Sequence, residues 1–192
     1  LAALRARLEP LAEIMQVKGD SECRNGIASV IGAADELCDF EKLRPPSEVI
    51  PDCGEAFSRG GMMLKGCVSR YSFLRYALTA GLSEEQALGV NPFKFGIIAA
   101  TDTHIGAPAG VKEKGYQGSH GNDRGIQNRL LGQIEVPGNI AKGSPVRYNP
   151  GGVAGIYAAE NSRNALFDSM QRRETFGTSG PRITPRFFAG WG

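Results

Sequence analysis

The chain has 192 residues, 41% of them hydrophobic, which is enough for one domain with a substantial core. Its formal net charge of +2 comes from interspersed basic and acidic residues, so no basic surface for nucleic acid or an anionic membrane is predicted. No apolar run approaches the roughly 20 residues that cross a bilayer, and no signal-peptide pattern opens the chain. These features predict one domain that binds neither nucleic acid nor membranes.

The first predicted elements are a helix and a strand. Leucines recur at helical spacing in LAALRARLEP, residues 1–10, and Leu11 to Val17 then forms the pattern of a short buried strand. The chain begins without methionine and inside a helical pattern, so we expect it to be a piece of a longer parent.

A long insertion is predicted over about residues 20–66, with some helix around residues 27–37. Connections of this length are usually functional or specially held. The insertion contains all but one of the cysteines and the fourth follows it directly: Cys23, Cys38, Cys53 and Cys67. They form no CxxC pair and have no histidine nearby, which argues against zinc and leaves buried thiols or one or two disulfides open. Cytoplasmic and periplasmic locations both stay open, with disulfides favouring the latter.

A second helix is predicted between Val68 and Leu88. Apolar residues recur there at helical intervals, Ser69 suits the N-cap, and Gly81 is predicted to end the first helix of this region. The next segment, NPFKFGIIAATD, predicts another strand, so the order strand, helix, strand indicates a parallel α/β sheet or barrel.

The remainder of the chain is predicted as a loop and a C-terminal extension. Residues 105–152 are rich in glycine, asparagine and proline and are expected to fold over a site. In residues 153–192, a helix is predicted after Asn161 or Ser162, and RITPRFF, residues 182–188, is predicted as a strand.

Asp102 and His104 stand where the second predicted strand ends, at the edge of a parallel sheet that carries ligand sites. Residues i and i+2 of a strand point the same way, so a carboxylate and an imidazole would face one spot. That donor pair suits Zn²⁺, Mn²⁺ or Fe²⁺. The alternative is an aspartate that orients the histidine or caps a turn.

Three blocks of sequence carry a family resemblance: GCVSRYSFLRYALTAGL, NPFKFGIIAATDTH and the segment from NPGGVAGIYAAENSRNALFDSMQRRETFGTSG to the C-terminus. They resemble the C-terminal part of a large, uncharacterised bacterial family related to the PHP (polymerase and histidinol phosphatase) metal-dependent phosphoesterases. The resemblance implies that residues 1–192 are the C-terminal portion of a partial distorted (β/α) barrel of PHP type, an α/β fold with a C-terminal helix-strand extension.

The resemblance also assigns residues. Asp102 and His104 would be metal ligands, and AEIMQVKG resembles a strand bordering the same cavity, which places Gln16 and Lys18 near the substrate. A lysine at a strand end is also commonly just solvated. The second histidine of the chain, His120, is a candidate extra ligand or proton donor to a leaving group, or simply a solvated loop residue.

The implied function is part of a metal-dependent hydrolase, a phosphoesterase that uses metal-activated water on a small phosphorylated or other hydrolysable substrate. The earlier histidine ligands of PHP sites are absent from this sequence. We therefore expect low divalent metal occupancy and no activity from this chain alone. The alternative is a non-catalytic binding or structural module. An incomplete barrel exposes strand edges, which predicts a homo-oligomer or pairing with a missing N-terminal half.

Overall fold

The computed structural model describes residues 1–27, 34–42, 49, 51–54, 56, 66–102, 110–111 and 149–190. These residues form a mixed α/β fold with two small sheets, and they contain no closed barrel. The elements in chain order are α1 (Ala2–Leu8), β1 (Leu11–Gln16), β2 (Gly19–Asp20), a 3-10 helix (Glu36–Asp39), a second 3-10 helix (Arg70–Ser72), α2 (Leu74–Leu88), β3 (Gly96–Ala99), β4 (Val153–Ile156), α3 (Arg163–Gln171) and β5 (Thr175–Thr178).

The first sheet has the order β2-β1-β3, and β1 and β3 are parallel as the strand-helix-strand pattern predicts. β1 contains a bulge, because Glu13 pairs with Ile98 while Met15 pairs with the next residue of β3, Ala99. Met15 and Ala99 are both 2% exposed. The parallel pair is therefore the centre of the core.

β4 and β5 form an antiparallel pair, which we call the C-terminal ribbon, and this ribbon packs on β3. Glycines allow the close approach. A Cβ at Gly177 would lie 2.8 Å from the Ile98 carbonyl carbon, and one at Gly152 would lie 2.5 Å from the Cβ of Ala99. The two sheets are thus joined backbone to backbone.

Residues 19–27 and 34–42 form a unit that we call the disulfide-held segment. It contacts β1 through β2. The Cys23–Cys38 disulfide crosslinks its two parts, and both cysteines are 1% exposed. Backbone bonds continue into α2, since Leu74 N–H donates to the Ser21 carbonyl at 2.8 Å. A further disulfide joins Cys53 to Cys67, so all four cysteines are oxidised and disulfides are the correct alternative.

Two predictions about the second helix need correction, one at Ser69 and one at Gly81. Ser69 caps the 3-10 helix Arg70–Ser72 rather than α2, and α2 runs unbroken through Gly81 to a left-handed C-cap at Gly89. A larger residue does not fit at position 81, because a Cβ there would lie 2.3 Å from the Asn91 side-chain oxygen. Of the helix predicted around residues 27–37, residues 28–33 lie outside the described residues, and the described remainder is helical only where the 3-10 helix Glu36–Asp39 begins.

The C-terminal extension also differs from its prediction. Ser162 caps α3 as predicted, accepting from the Ala165 N–H at 3.2 Å. The strand predicted over residues 182–188 is wrong: this stretch has no regular secondary structure and is exposed, and the strand lies earlier, in β5. Pro181 and Pro185 lack the N–H groups that strand pairing needs, which explains the shift.

Candidate functional site

The candidate site lies at the carboxyl ends of β1 and β3, where backbone pairing continues past both strands. Ala100 N–H donates to the Met15 carbonyl at 3.0 Å, and Val17 N–H donates to the Thr101 carbonyl at 2.9 Å. Val17 and Thr101 are therefore neighbours, and the residues that follow them, Lys18 and Asp102, emerge at the same edge of the sheet.

Residues 149–152 form backbone hydrogen bonds with the residues that follow β1 and β3. Asn149 N–H donates to the Val17 carbonyl at 2.9 Å, and Gly152 N–H donates to the Ala100 carbonyl at 2.7 Å. Gly151 has a φ of +85°, and a Cβ there would lie 2.6 Å from the Thr101 Cα. Only glycine fits at this position, so residues 149–152 pack closely against Thr101, the residue that precedes Asp102.

Asp102 adopts a left-handed backbone conformation with a φ of +52°. This conformation costs a non-glycine residue about 1 kcal/mol or more, although aspartate tolerates it better than most. Such strain is common at functional sites, where surrounding structure holds it in place. Here the flanking backbone bonds of Thr101 supply that restraint.

Glu13 joins the site electrostatically, although no pattern in the sequence predicts it. The loss of part of its hydration raises the pKa of the Glu13 carboxyl, the Asp102 charge raises this pKa further, and Lys18 opposes both effects. The side chain keeps contact with solvent. Glu13, which lies on β1 opposite Ile98, is thus within electrostatic range of Asp102 and Lys18 at this edge of the sheet.

Lys18 is a cation within electrostatic range of both carboxylates. Burial lowers the pKa of the Lys18 ammonium most strongly, and the neighbouring Lys42 lowers it as well, while Asp20, Glu13 and Asp102 oppose the shift. Its Nζ donates a short hydrogen bond to the Ser21 hydroxyl. Lys18 is therefore held by the protein and is not the freely solvated strand-end lysine of the alternative interpretation.

Lys42 supports this arrangement from the disulfide-held segment. Its side chain is 5% exposed, and its Nζ lies 2.6 Å from both the Asp20 carboxylate and the Cys23 carbonyl oxygen. The ammonium group also lies 5.6 Å from the centre of the Phe73 ring. Lys42 therefore fixes the turn between β1 and β2 that carries Lys18.

The other predicted residues fall into two groups. Gln16 is half-buried and pairs with Gly19 at the end of β1, one residue from the shared edge. His104 and His120 lie outside the described residues. Within residues 1–102 and 149–190, counting only the described positions, no group of three or more His, Cys, Asp or Glu side chains has the arrangement of a metal site.

The comparisons with known proteins place the chain in a family. Residues 1–192 match the family model described as "Protein of unknown function (DUF3604)". The chain belongs to this family. No curated protein and no solved structure matches it. Among the described residues of this DUF3604 chain, no helix is long and apolar enough to cross a membrane.

Proposed function

We propose that this DUF3604 chain contributes to the site of a metal-dependent hydrolase that acts on phosphate esters. The observation that carries the proposal is the meeting of Lys18 and Asp102, with Glu13 in electrostatic range, at the carboxyl ends of two parallel strands. Ligand sites of parallel α/β folds concentrate at this edge. The PHP resemblance of the Asp-x-His pair at residues 102–104 supports the same chemistry.

The donor set fits a divalent cation. Asp102 and Glu13 offer carboxylate oxygens, and the pKa of Glu13 is raised first by burial and then by the Asp102 charge, so the two carboxylates repel each other. A cation between them would relieve that repulsion, and His104 would add an imidazole from two residues further along the chain. Such an ion supplies Lewis acidity, which stabilises negative charge on a phosphoryl oxygen.

Lys18 is the second part of the proposal. Its ammonium group is a compact positive charge that suits a phosphate oxygen, and the Ser21 hydroxyl and the Lys42 contacts keep it at the site edge. Lys18 would bind and orient the anionic group of the substrate, while the carboxylates hold the cation beside it.

Calorimetric titration with Mn²⁺ and Zn²⁺, together with metal analysis by plasma mass spectrometry, tests the proposal. We expect Asp102→Ala and His104→Ala to weaken binding by at least about 100-fold and Glu13→Gln by about tenfold, since loss of a supporting group alone costs 10 to 100-fold. Asp168→Ala, an exposed aspartate on α3, is the matched control and should bind like the wild type.

Equal binding by the wild type and Asp102→Ala would contradict the proposal. It would leave the non-catalytic module as the better interpretation of this chain. If the metal site is present, a phosphate ester added to the metal-loaded protein should protect Lys18 from amine-modifying reagents, while exposed Lys94 should remain reactive.

A further inference from the structure

The last ten described residues, 181–190, form an exposed segment that we call the C-terminal tail. All ten residues are exposed, among them Phe187 at 89%, Phe188 at 84% and Ile183 at 59%. Single exposed apolar residues are normal, but a cluster of this kind marks an interaction surface.

The tail nevertheless makes contacts with the C-terminal ribbon and with Tyr157. The Thr178 hydroxyl donates to the Pro181 carbonyl at 2.7 Å, and the Tyr157 hydroxyl donates to the Pro185 carbonyl. The Arg186 guanidinium lies 4.8 Å from the centre of the Tyr157 ring. β5 and the residue that follows β4 therefore hold the tail at Pro181, Pro185 and Arg186, which lowers the entropy cost of binding a partner.

The tail is also basic. It contains Arg182 and Arg186, and the sequence has no acidic residue from Thr175 to its end. The complementary partner surface should be apolar and acidic, because unlike charges select the register while aromatic and arginine side chains supply most of the binding energy.

The exposed face of α2 has this complementary character. Leu78, Leu82 and Glu85 stand at positions i, i+4 and i+7, which places them on one stripe of the helix. All three are exposed, with Leu82 at 61%. The exposed Leu88 extends this face toward Glu84, which lies about 100° around the helix axis from Glu85, and α2 carries no basic residue after Arg75.

We propose that the C-terminal tail of one chain packs on the exposed face of α2 of a second copy. Phe187 and Phe188 cover Leu78 and Leu82, while Arg182 and Arg186 face Glu84 and Glu85. Reciprocal exchange of two tails gives a closed two-fold dimer, in which the same patches meet on both sides. This interface is independent of the hydrolase proposal, since it uses neither Lys18 nor Asp102.

Sedimentation velocity of two charge-reversed chains gives a direct test. The tail variant Arg182→Glu/Arg186→Glu carries an acidic tail and an acidic helix, and the helix variant Glu84→Lys/Glu85→Lys carries a basic tail and a basic helix. Each should self-associate at least about tenfold more weakly than the wild type, because like charges then face each other in both contacts.

An equimolar mixture of the two variants should restore the dimer. In the mixed pair, the acidic tail meets the basic helix and the basic tail meets the acidic helix, so both contacts are again complementary. A variant that merely unfolds cannot give this rescue. Arg182→Glu alone is the second variant, because Arg186 also covers Tyr157 and Arg182 does not share that contact.

Lys94→Glu/Arg163→Glu, at two exposed positions outside both patches, is the control with the same change of charge and should dimerise like the wild type. A wild type that sediments as a monomer at micromolar concentrations would overturn the proposal. So would a dimer that neither variant weakens, because a strand edge or another apolar face would then form the interface.

Discussion

The disulfide-held segment and the C-terminal ribbon attach to the same parallel strands in different ways. The disulfide-held segment pairs with β1 through the backbone of β2, and side chains hold the segment itself together: a buried disulfide, the Lys42 to Asp20 ion pair and the bonds from Arg75 of α2 to Glu22 and Asp35. The ribbon uses backbone against backbone, with glycines where a side chain would clash. The side-chain bonds of the segment fix Asp20 and Lys42 beside Lys18, and the glycine contacts fix the ribbon from which the tail extends.

Removing the Cys23–Cys38 disulfide should have the largest effect on stability. Its sequence separation is 15, and a loop of that size loses about 3 kcal/mol of stability when opened, to which the lost packing of two buried side chains adds, for a total of about 4 kcal/mol. The measurement is denaturant unfolding of Cys23→Ala/Cys38→Ala under non-reducing conditions.

Cys53→Ala/Cys67→Ala is the matched comparison, because the separation of 14 predicts nearly the same entropy term. These cysteines are only half-buried, so the loss should be smaller. Equal losses for the two pairs would show that buried packing around Cys23 and Cys38 adds nothing beyond chain entropy.

Asp20→Ala should cost about 3 kcal/mol, because it leaves the buried Lys42 ammonium without its carboxylate. Asp20 is 18% exposed and Lys42 5% exposed, so water cannot replace the lost partner efficiently. The exposed Arg172–Glu174 pair, at 2.8 Å, supplies the control. Glu174→Ala should leave the unfolding midpoint nearly unchanged. A similar loss in both variants would contradict the view that burial makes the first pair important.

Gly152→Ala should destabilise the protein by about 2 kcal/mol, since its new Cβ would lie 2.5 Å from both the Ala99 Cβ and the Thr178 carbonyl oxygen. Gly190→Ala adds the same methyl group where nothing lies within 4 Å and should be neutral. Thermal unfolding measures both. If Gly152→Ala were also neutral, the C-terminal ribbon would not be packed backbone to backbone against β3.

Some of this structure follows from the sequence because it is local. Periodicity predicts α1, β1 and the parallel pairing of β1 with β3, and the Asp102 position at a strand end follows from the same pattern. Contacts between residues that are far apart in the sequence do not follow from these local patterns. Lys42 reaches Asp20 across 22 residues, and Glu13 reaches the site because Asp102 is near in space. The Gly81 error has the same origin, since the space for that glycine is limited by Asn91, beyond the end of the helix.

The smallest expected effect is the acid sensitivity of Asp35, within the disulfide-held segment. Hydrogen bonds from Arg75 and then from the Leu37 N–H hold the pKa of this carboxyl below its ordinary value of 3.8. A depressed folded-state pKa gives stability that is fully present above the ordinary value and is lost as the pH falls through the lower, folded value.

Asp35→Asn keeps an acceptor for the Leu37 N–H but cannot titrate, so its melting temperature should fall less than that of the wild type between about pH 5 and pH 2. The exposed Asp39→Asn change is the control and should follow the wild-type curve. Parallel curves for the wild type and Asp35→Asn would mean that Arg75 holds this segment through packing or through Glu22 alone, and that the Asp35 charge is not part of the attachment.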